Sequence, residues 1–120
     1  MPAVTHATPL ISLDAVVIDT ETTSLEPRKA RVVEIAGIRI VSGRVTPEQT
    51  FCSLVNPRET ISAFSTAIHH IDNDSVANAP IFPAMWPEFL GFAGDSVIIG
   101  HTLGFDLAVL QQECKRADLA

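Results

Sequence analysis

Two carboxylic acids stand two residues apart where an apolar stretch of the sequence ends. Asp19 and Glu21 follow directly after the Val-Val-Ile run at 16–18, with Thr20 between them. Because side chains alternate across a strand, both acids are predicted to face one side of a sheet and Thr20 the other. Two residues of strand span about 6.6 Å, so both carboxylates can reach a common ion, and oxygen ligands favour Mg²⁺ or Mn²⁺. A solvated strand end is an equally ordinary explanation of the pair.

A third acid, Asp106, is predicted to lie in the first turn of a helix that follows a later strand. The helix dipole favours a carboxylate at that position. If the later strand lies beside the strand of Asp19 and Glu21, the three acids meet in one crevice. Taken alone, Asp106 is explained as well by a capping charge, so its assignment as a ligand depends on the strand order.

The elements that must position these acids begin with three strands. Residues 13–21 have an unbroken apolar middle, which predicts a central strand covered on both faces. Residues 31–41 predict a second strand, and residues 42–49 predict a turn that leads into a third strand at 50–56. The short connection predicts that the second and third strands form an antiparallel hairpin.

Apolar spacing in the second half of the chain predicts three helices and one more strand. A short helix is expected at 65–71, followed by a polar connection at 73–80. Residues 81–94 and 102–117 have helical spacing and flank a fourth strand at 95–100. This order of elements predicts an α/β fold with a mixed sheet.

Composition limits the class of protein. A chain of 120 residues is at most one domain, and 47% hydrophobic residues with a mean hydropathy of +0.28 exclude a disordered chain. The net charge of −6 argues against coating a nucleic-acid duplex, but not against gripping a strand end through metal ions. The basic group Arg28, Lys29 and Arg31 is best explained as a solvated loop. Cys52 and Cys114 show no zinc-binding spacing, and the sequence has no signal-peptide or membrane-span pattern, so a soluble cytoplasmic domain is predicted.

Two ordered motifs, and the segments between them, carry a resemblance to a known family. The stretch VVIDTETTSLEP at 16–27 matches a hydrophobic residue followed by D-x-E-T-T-G-L, and GHTLGFDLAVL at 100–110 matches H-N-x-x-F-D. Between them lie RVVEIAGIRI, LVNP, AIHHID and VANAP, in that order. Over about residues 13–118 the sequence resembles the DEDD 3′→5′ exonuclease superfamily, which includes the proofreading epsilon subunit of bacterial DNA polymerase III.

The resemblance implies a ribonuclease H-like fold and hydrolysis of 3′-terminal phosphodiester bonds, which releases nucleoside monophosphates. By position, Asp19 would bridge two Mg²⁺ or Mn²⁺ ions, Glu21 would hold one of them, and Asp106 would support the second directly or through water. Metal ions about 3.5–4 Å apart stabilise both the attacking and the leaving oxygen of such a displacement. These three acids are therefore the predicted catalytic and metal-binding residues.

The same resemblance assigns four residues to the substrate. The backbone of Thr22 would meet the terminal 3′-hydroxyl, Leu25 would wedge against the last bases, and Phe105 would help to shape that pocket. His69 falls where the family often has a histidine near the terminal nucleotide. The sequence is equally compatible with a turn residue packing on the core at Leu25 and a surface helix position for His69.

The sequence also departs from the family pattern. Ser24 stands where glycine is usual, which matters if that position needs a positive φ. Thr102 stands where asparagine is usual, although threonine can still cap a helix. No histidine or tyrosine base with a fourth acid follows Asp106 in the pattern H-x-x-x-x-D or Y-x-x-x-D. We therefore expect residues 13–120 to form an exonuclease domain that lacks its last active-site segment, preceded by a flexible arm at 1–12.

The predicted function is a metal-dependent 3′→5′ exonuclease that acts on the 3′ end of single-stranded nucleic acid, DNA before RNA, in proofreading or repair. Without a base and a fourth acid, this chain is expected to be nearly inactive alone. The alternatives are an RNA-directed, oligoribonuclease-like enzyme and a non-catalytic module that binds strand ends or a polymerase. A polymerase or fused domains are the expected protein partners. An open sheet edge at 97–99 also predicts association with another copy of the chain.

Overall fold

This computed structural model describes residues 14–119. They contain four strands and four helices, joined by turns and loops. In chain order they are β1 (Ala15–Thr22), β2 (Val32–Val41), β3 (Arg44–Leu54), α1 (Ala63–His69), α2 (Asn73–Val76), α3 (Phe82–Ala93), β4 (Val97–Ile99) and α4 (Leu103–Arg116). The predicted α/β class is confirmed, whereas the arm predicted at 1–12 lies outside the described residues. None of the helices within 14–119 has the length and apolar character to cross a membrane.

The four strands form one mixed sheet in the order β3-β2-β1-β4. β1 pairs antiparallel with β2 along its length, and its residues 15–17 pair parallel with β4. β1 is an inner strand, but within residues 14–119 only one of its faces is well covered, since Val16 and Ile18 are buried whereas Val17 between them is half-buried. The prediction that both faces are covered was therefore wrong for the described residues. β4 lies beside β1, so the strand order meets the condition for bringing the three acids together.

β2 and β3 form the predicted antiparallel hairpin, but its turn is much shorter than predicted. Ser42 and Gly43 alone make the turn, with φ of 51° and 77°, as in the two-residue type I′ turns that suit twisted hairpins. β3 therefore begins at Arg44, and the prediction of a turn over 42–49 was wrong. Pro47 within β3 is tolerated because β3 is an edge strand whose pairing with β2 is interrupted nearby.

The bounds of α1 and α2 are set by capping residues. The Ser62 hydroxyl accepts a hydrogen bond from the Ser65 N–H, so α1 begins before the predicted start at 65. It ends at His69 and is followed by His70, whose φ of 63° is left-handed. The polar connection predicted at 73–80 contains α2, because Asp72 caps a further helical turn there. That part of the prediction was wrong.

α3 and α4 pack against one face of the sheet and bury its apolar side chains. The helical spacing predicted for both helices is confirmed, and α3 continues through Pro87. The buried core combines side chains from the sheet and both helices: Val16, Ile18, Ile35, Phe82, Met85, Phe89, Val109 and Leu110. This packing holds the first turn of α4 against the end of β1.

The opposite face of the sheet is less well covered. Val17 lies beside Ile38 on one side and Ile99 on the other. The first two side chains are half-buried, and Ile99 is 44% exposed. Among the described residues β4 pairs with β1 alone, so its outer edge is open.

Candidate active site

A crevice of about 630 Å³ opens where β1 ends, bounded by the β1–β2 connection, α1 and the start of α4. The crevice is lined by six of the seven residues predicted for the site: Glu21, Thr22, Leu25, His69, Phe105 and Asp106. Phe64 of α1, which was not predicted, also lines it. The seventh, Asp19, is exposed on the same strand but does not line the crevice.

The two acids of β1 alternate with a buried threonine, as the strand pattern predicted. Asp19 is exposed and Glu21 half-buried, whereas Thr20 is buried between them. Glu21 lies directly opposite Glu34 of β2, and the register shifts immediately after this pair. Irregular pairing of this kind commonly re-aims side chains beside functional sites. Here it marks the point where β1 leaves the regular sheet and enters the crevice.

Asp106 reaches the end of β1 on the side of Thr20. The residue is 2% exposed, and its carboxylate accepts a hydrogen bond of 2.5 Å from the Thr20 hydroxyl. Its position in the first turn of α4 adds the favourable end of the helix dipole. The predicted convergence of Asp106 with β1 is therefore observed, with the residue between the two acids as its direct contact.

The electrostatics of the crevice are dominated by negative charge around Glu21. Burial raises the pKa of the Glu21 carboxyl, and the neighbouring carboxylate of Asp19 raises it further. Glu34 and Asp106 act in the same direction, while His69 opposes them. Crowded carboxylates of this kind repel one another unless a cation lies between them. The donor set, made only of carboxylate oxygens, suits a hard divalent cation.

A complete ligand set is not formed by the described part of the chain. Within residues 14–119, no three side chains of Asp, Glu, His or Cys lie in a group that could hold a metal ion. The carboxylate of Asp106 is engaged by Thr20, as described above. The assignment of Asp19, Glu21 and Asp106 as metal ligands stays a prediction, which the crowding of negative charge supports.

His69 holds the end of β1 in place. The Ile71 N–H donates to its Nδ1 at 3.1 Å, and its Nε2 donates to the Thr22 carbonyl oxygen at 3.1 Å. One turn earlier on α1, the Ser65 hydroxyl donates to the carbonyl oxygen of Thr23 at 2.9 Å. Two consecutive carbonyl groups are thus fixed by one helix face. Both ring nitrogens of His69 are occupied by the protein itself.

The connection after β1 presents Leu25 to solvent. Leu25 is 70% exposed, so the alternative of a turn residue packing on the core is excluded. Hydrogen bonds from the Thr22 hydroxyl to the Ser24 carbonyl and from the Glu26 N–H to the Ser24 hydroxyl shape the turn. Ser24 is not among the residues with positive φ, so replacing the family's usual glycine causes no strain there. Thr102 precedes α4 but makes no side-chain capping bond, contrary to expectation.

A cluster of charged side chains that sequence reasoning missed anchors the connection between β1 and β2 to α4. Glu113 of α4 is 1% exposed, and its Oε1 accepts hydrogen bonds from Arg31 and Arg116. Arg116 also donates to the carbonyl oxygens of Ala30 at 3.1 Å and Arg28 at 2.6 Å. Arg31 is therefore not part of a solvated loop. Glu113 and Arg116 are three residues apart on α4, but Arg31 is 82 residues from Glu113, so no local pattern revealed that pair.

The fold and sequence are similar to those of known nucleases. The solved structure of "Exonuclease X in complex with 5′ overhanging duplex DNA" superposes with a TM-score of 0.69 at 30% identity, over 79% of this chain and 52% of that one. A DNA polymerase III subunit epsilon-like protein of Rhodobacter capsulatus is 43% identical over 88% of this chain and 15% of its own length. The DNA polymerase III subunit epsilon of Rickettsia felis is 35% identical over 90% of this chain and 48% of its own length.

These likenesses define a ribonuclease H-like nuclease domain. The RNase_T exonuclease family model matches residues 16–119, and the chain belongs to this exonuclease family. The membership and the similarity to DNA polymerase III epsilon subunits confirm the resemblance seen in the two sequence motifs. The chain spans less than half of the length of the two curated relatives.

Proposed function

We propose that the protein is a metal-dependent 3′→5′ exonuclease that hydrolyses the 3′-terminal phosphodiester bonds of single-stranded DNA. One observation carries the proposal beyond family membership. Burial raises the pKa of Glu21 at the end of β1, and the negative charge of Asp19 raises it further, with smaller contributions from Glu34 and Asp106. Such crowding is unfavourable without a cation and is relieved by one. Mg²⁺ or Mn²⁺ is the cation that this oxygen donor set fits.

In this proposal the three acids hold two ions and the crevice holds the strand end. Asp19 would contact both ions, Glu21 would hold one of them, and Asp106 would support the other directly or through water. Ions held there would polarise the phosphate and activate a water molecule. The Thr22 backbone meets the 3′-hydroxyl, while Leu25 and Phe105 contact the last bases.

His69 acts in the proposal by orienting Thr22 rather than by moving a proton. Its two ring nitrogens are already paired with the protein, at Thr22 and Ile71. A general base needs a free acceptor atom within reach of the attacking water. We therefore assign the base to none of the residues in the crevice, and we propose that the 120-residue chain alone cleaves DNA poorly.

The direct test uses a single-stranded DNA labelled at its 5′ end, so that removal of 3′ nucleotides produces a descending ladder. Because the chain alone is proposed to cleave poorly, the assay uses protein in excess over DNA, and we expect slow shortening that depends on Mn²⁺ or Mg²⁺ and is lost in Glu21→Gln. The matched control is Glu48→Gln, which alters an exposed glutamate of β3 outside the crevice. Metal-independent cleavage, or unchanged cleavage by Glu21→Gln, would contradict the proposal. An RNA of the same sequence, run in parallel, tests the ribonuclease alternative.

A second candidate is a non-catalytic module that binds strand ends or a polymerase. The bond between Thr20 and Asp106 favours it, because it keeps one predicted ligand engaged with the protein. The relatives named as DNA polymerase III epsilon subunits make such a polymerase the natural partner to test, in the cytoplasm. Mn²⁺ titration followed by paramagnetic broadening separates the candidates, since only the nuclease needs the signals of Glu21 and Asp106 to broaden.

A further inference from the structure

A second, smaller cleft adjoins the crevice and lies between the β1–β2 connection and α4. Its volume is about 480 Å³, and it is lined by Glu26, Pro27, Arg28, Ala108, Gln111 and Gln112. Glu26 also lines the crevice, so the two cavities are contiguous. Apart from Glu26, the polar side chains of the lining are one guanidinium group and two amides, all of which can donate hydrogen bonds. We call this cavity the α4 cleft.

The charge around the α4 cleft is opposite in sign to that of the crevice. Among the residues within 14–119 that line the crevice there is no lysine or arginine, whereas Glu21, Glu26 and Asp106 are acidic. Around the α4 cleft, the β1–β2 connection and α4 bring together four basic and two acidic side chains: Arg28, Lys29, Arg31 and Arg116 with Glu26 and Glu113. This group has a net charge of +2, although the net charge of the chain is −6.

Arg28 is the basic residue of this group whose charge is available to a ligand. The other three basic side chains are paired with Glu26 or Glu113. Arg28 forms no ion pair with any residue in the range 14–119, and it is exposed. Its backbone is nevertheless anchored, because its carbonyl oxygen accepts a hydrogen bond of 2.6 Å from Arg116 of α4. The cleft therefore presents an anchored, uncompensated cation to an anion.

We propose that the α4 cleft binds backbone phosphates of the substrate strand upstream of its 3′ end, with Arg28 neutralising one phosphate and the amides of Gln111 and Gln112 donating hydrogen bonds. The inference rests on the proposed function and extends it along the strand. Proteins hold nucleic acid largely by neutralising phosphates with basic side chains, which the acidic crevice lacks. The α4 cleft supplies that charge directly beside the crevice. Because phosphate contacts do not read bases, this binding is independent of sequence.

The test measures binding of the full chain to two fluorescent single-stranded DNAs by fluorescence anisotropy, at fixed Mg²⁺ and over a series of KCl concentrations. Both DNAs have a terminal phosphorothioate linkage that resists hydrolysis. In the second, every linkage upstream of the two 3′-terminal nucleotides is an uncharged methylphosphonate. Arg28→Gln weakens binding of the charged DNA and makes the slope of log affinity against log salt concentration shallower by about 0.7, the effect of losing one phosphate contact in a single strand. On the methylphosphonate DNA, Arg28→Gln and the parent bind equally.

Two control variants separate a local phosphate contact from the overall charge of the protein. Arg28→Lys keeps the positive charge and retains the salt dependence of the parent. Arg44→Gln removes the same charge from an exposed residue beside the β2–β3 turn, at the end of β2 away from the crevice, and changes neither affinity nor slope. Because Arg28 contributes only its backbone to the hydrogen bonds of the described fold, the thermal midpoint of Arg28→Gln stays close to that of the parent.

The possible failures are distinguishable. If the parent binds the charged DNA and Arg28→Gln binds it with the same affinity and slope, the phosphate site is overturned and the exonuclease proposal stands. Equal losses in Arg28→Gln and Arg44→Gln also overturn it, because overall charge would then explain the binding. So do equal losses by Arg28→Gln on the charged and methylphosphonate DNAs. No binding of either DNA by the parent overturns both proposals.

Discussion

Glu21 shows how burial and neighbouring negative charge at one carboxylate lower the stability of the fold that holds it. Its pKa is raised by burial and by Asp19, with further contributions from Glu34 and Asp106. A raised pKa means that the folded state binds the proton more tightly than the unfolded chain. The associated stability is fully present below the pKa of an unfolded glutamate, about 4.3, and is lost as the pH rises through the folded value.

Glu21→Gln should therefore be more stable than the parent at pH 7 in the absence of divalent cations, because glutamine keeps the shape and carries no charge. The advantage should shrink as the pH falls and vanish below about pH 4. Thermal unfolding at a series of pH values measures it, with Glu48→Gln as the exposed control. Added Mn²⁺ should raise the midpoint of the parent and not that of Glu21→Gln. A parent that is more stable than the variant at pH 7 without metal would refute this account.

At the scale of the element, α1 ends in a conformation that its sequence does not favour. His70 has a φ of 63°, in the left-handed region where a side chain is disfavoured and glycine is common after a helix. His70→Gly should stabilise the protein by about 0.5–1 kcal/mol, the gain being limited by the greater freedom of glycine in the unfolded chain. Urea denaturation measures the change. Ala67→Gly, inside the same helix, should instead destabilise by about 1 kcal/mol. Equal signs for the two variants would contradict the assignment.

The connection between β1 and β2 depends on α4 through Glu113. Glu113→Gln keeps the size of the side chain but removes the charge that Arg31 and Arg116 share. Leaving two partly exposed guanidinium groups without it should cost about 2–4 kcal/mol. Hydrogen exchange of the Ala30 N–H should accelerate, since Arg116 holds the backbone there. An exposed control, Glu88→Gln on α3, should change neither quantity.

At the scale of the whole molecule, local patterns predicted the fold better than they predicted contacts between distant residues. The apolar run at 16–18 and the spacing of α4 identified an inner strand and a core helix, because burial imposes those periods directly. The extent of β3 was missed, since a two-residue turn replaces the longer one predicted over 42–49, and an edge strand tolerates Pro47. The bond from Thr20 to Asp106 joins residues 86 positions apart, and only the assembled sheet shows it.

The open side of the sheet leads to the last prediction, which concerns association of whole molecules. Among the described residues β4 pairs with β1 alone, and Ile99 is exposed on the less covered face beside Val17. Unpaired strand edges with apolar side chains pair readily with other chains, and a charged residue on the edge opposes this. We expect the 120-residue chain to self-associate with rising concentration, and Ile99→Lys to shift it toward the monomer. Sedimentation velocity measures the shift.

The matched control for this prediction is Val45→Lys, which places the same charge on the other edge strand, β3, where the existing side chain is already exposed. Because strand pairing through β4 requires the β4 edge specifically, Val45→Lys should leave the association unchanged. A monomeric parent at all concentrations would refute the prediction. If both lysine variants dissociated the chain equally, net charge rather than the open β4 edge would govern its association.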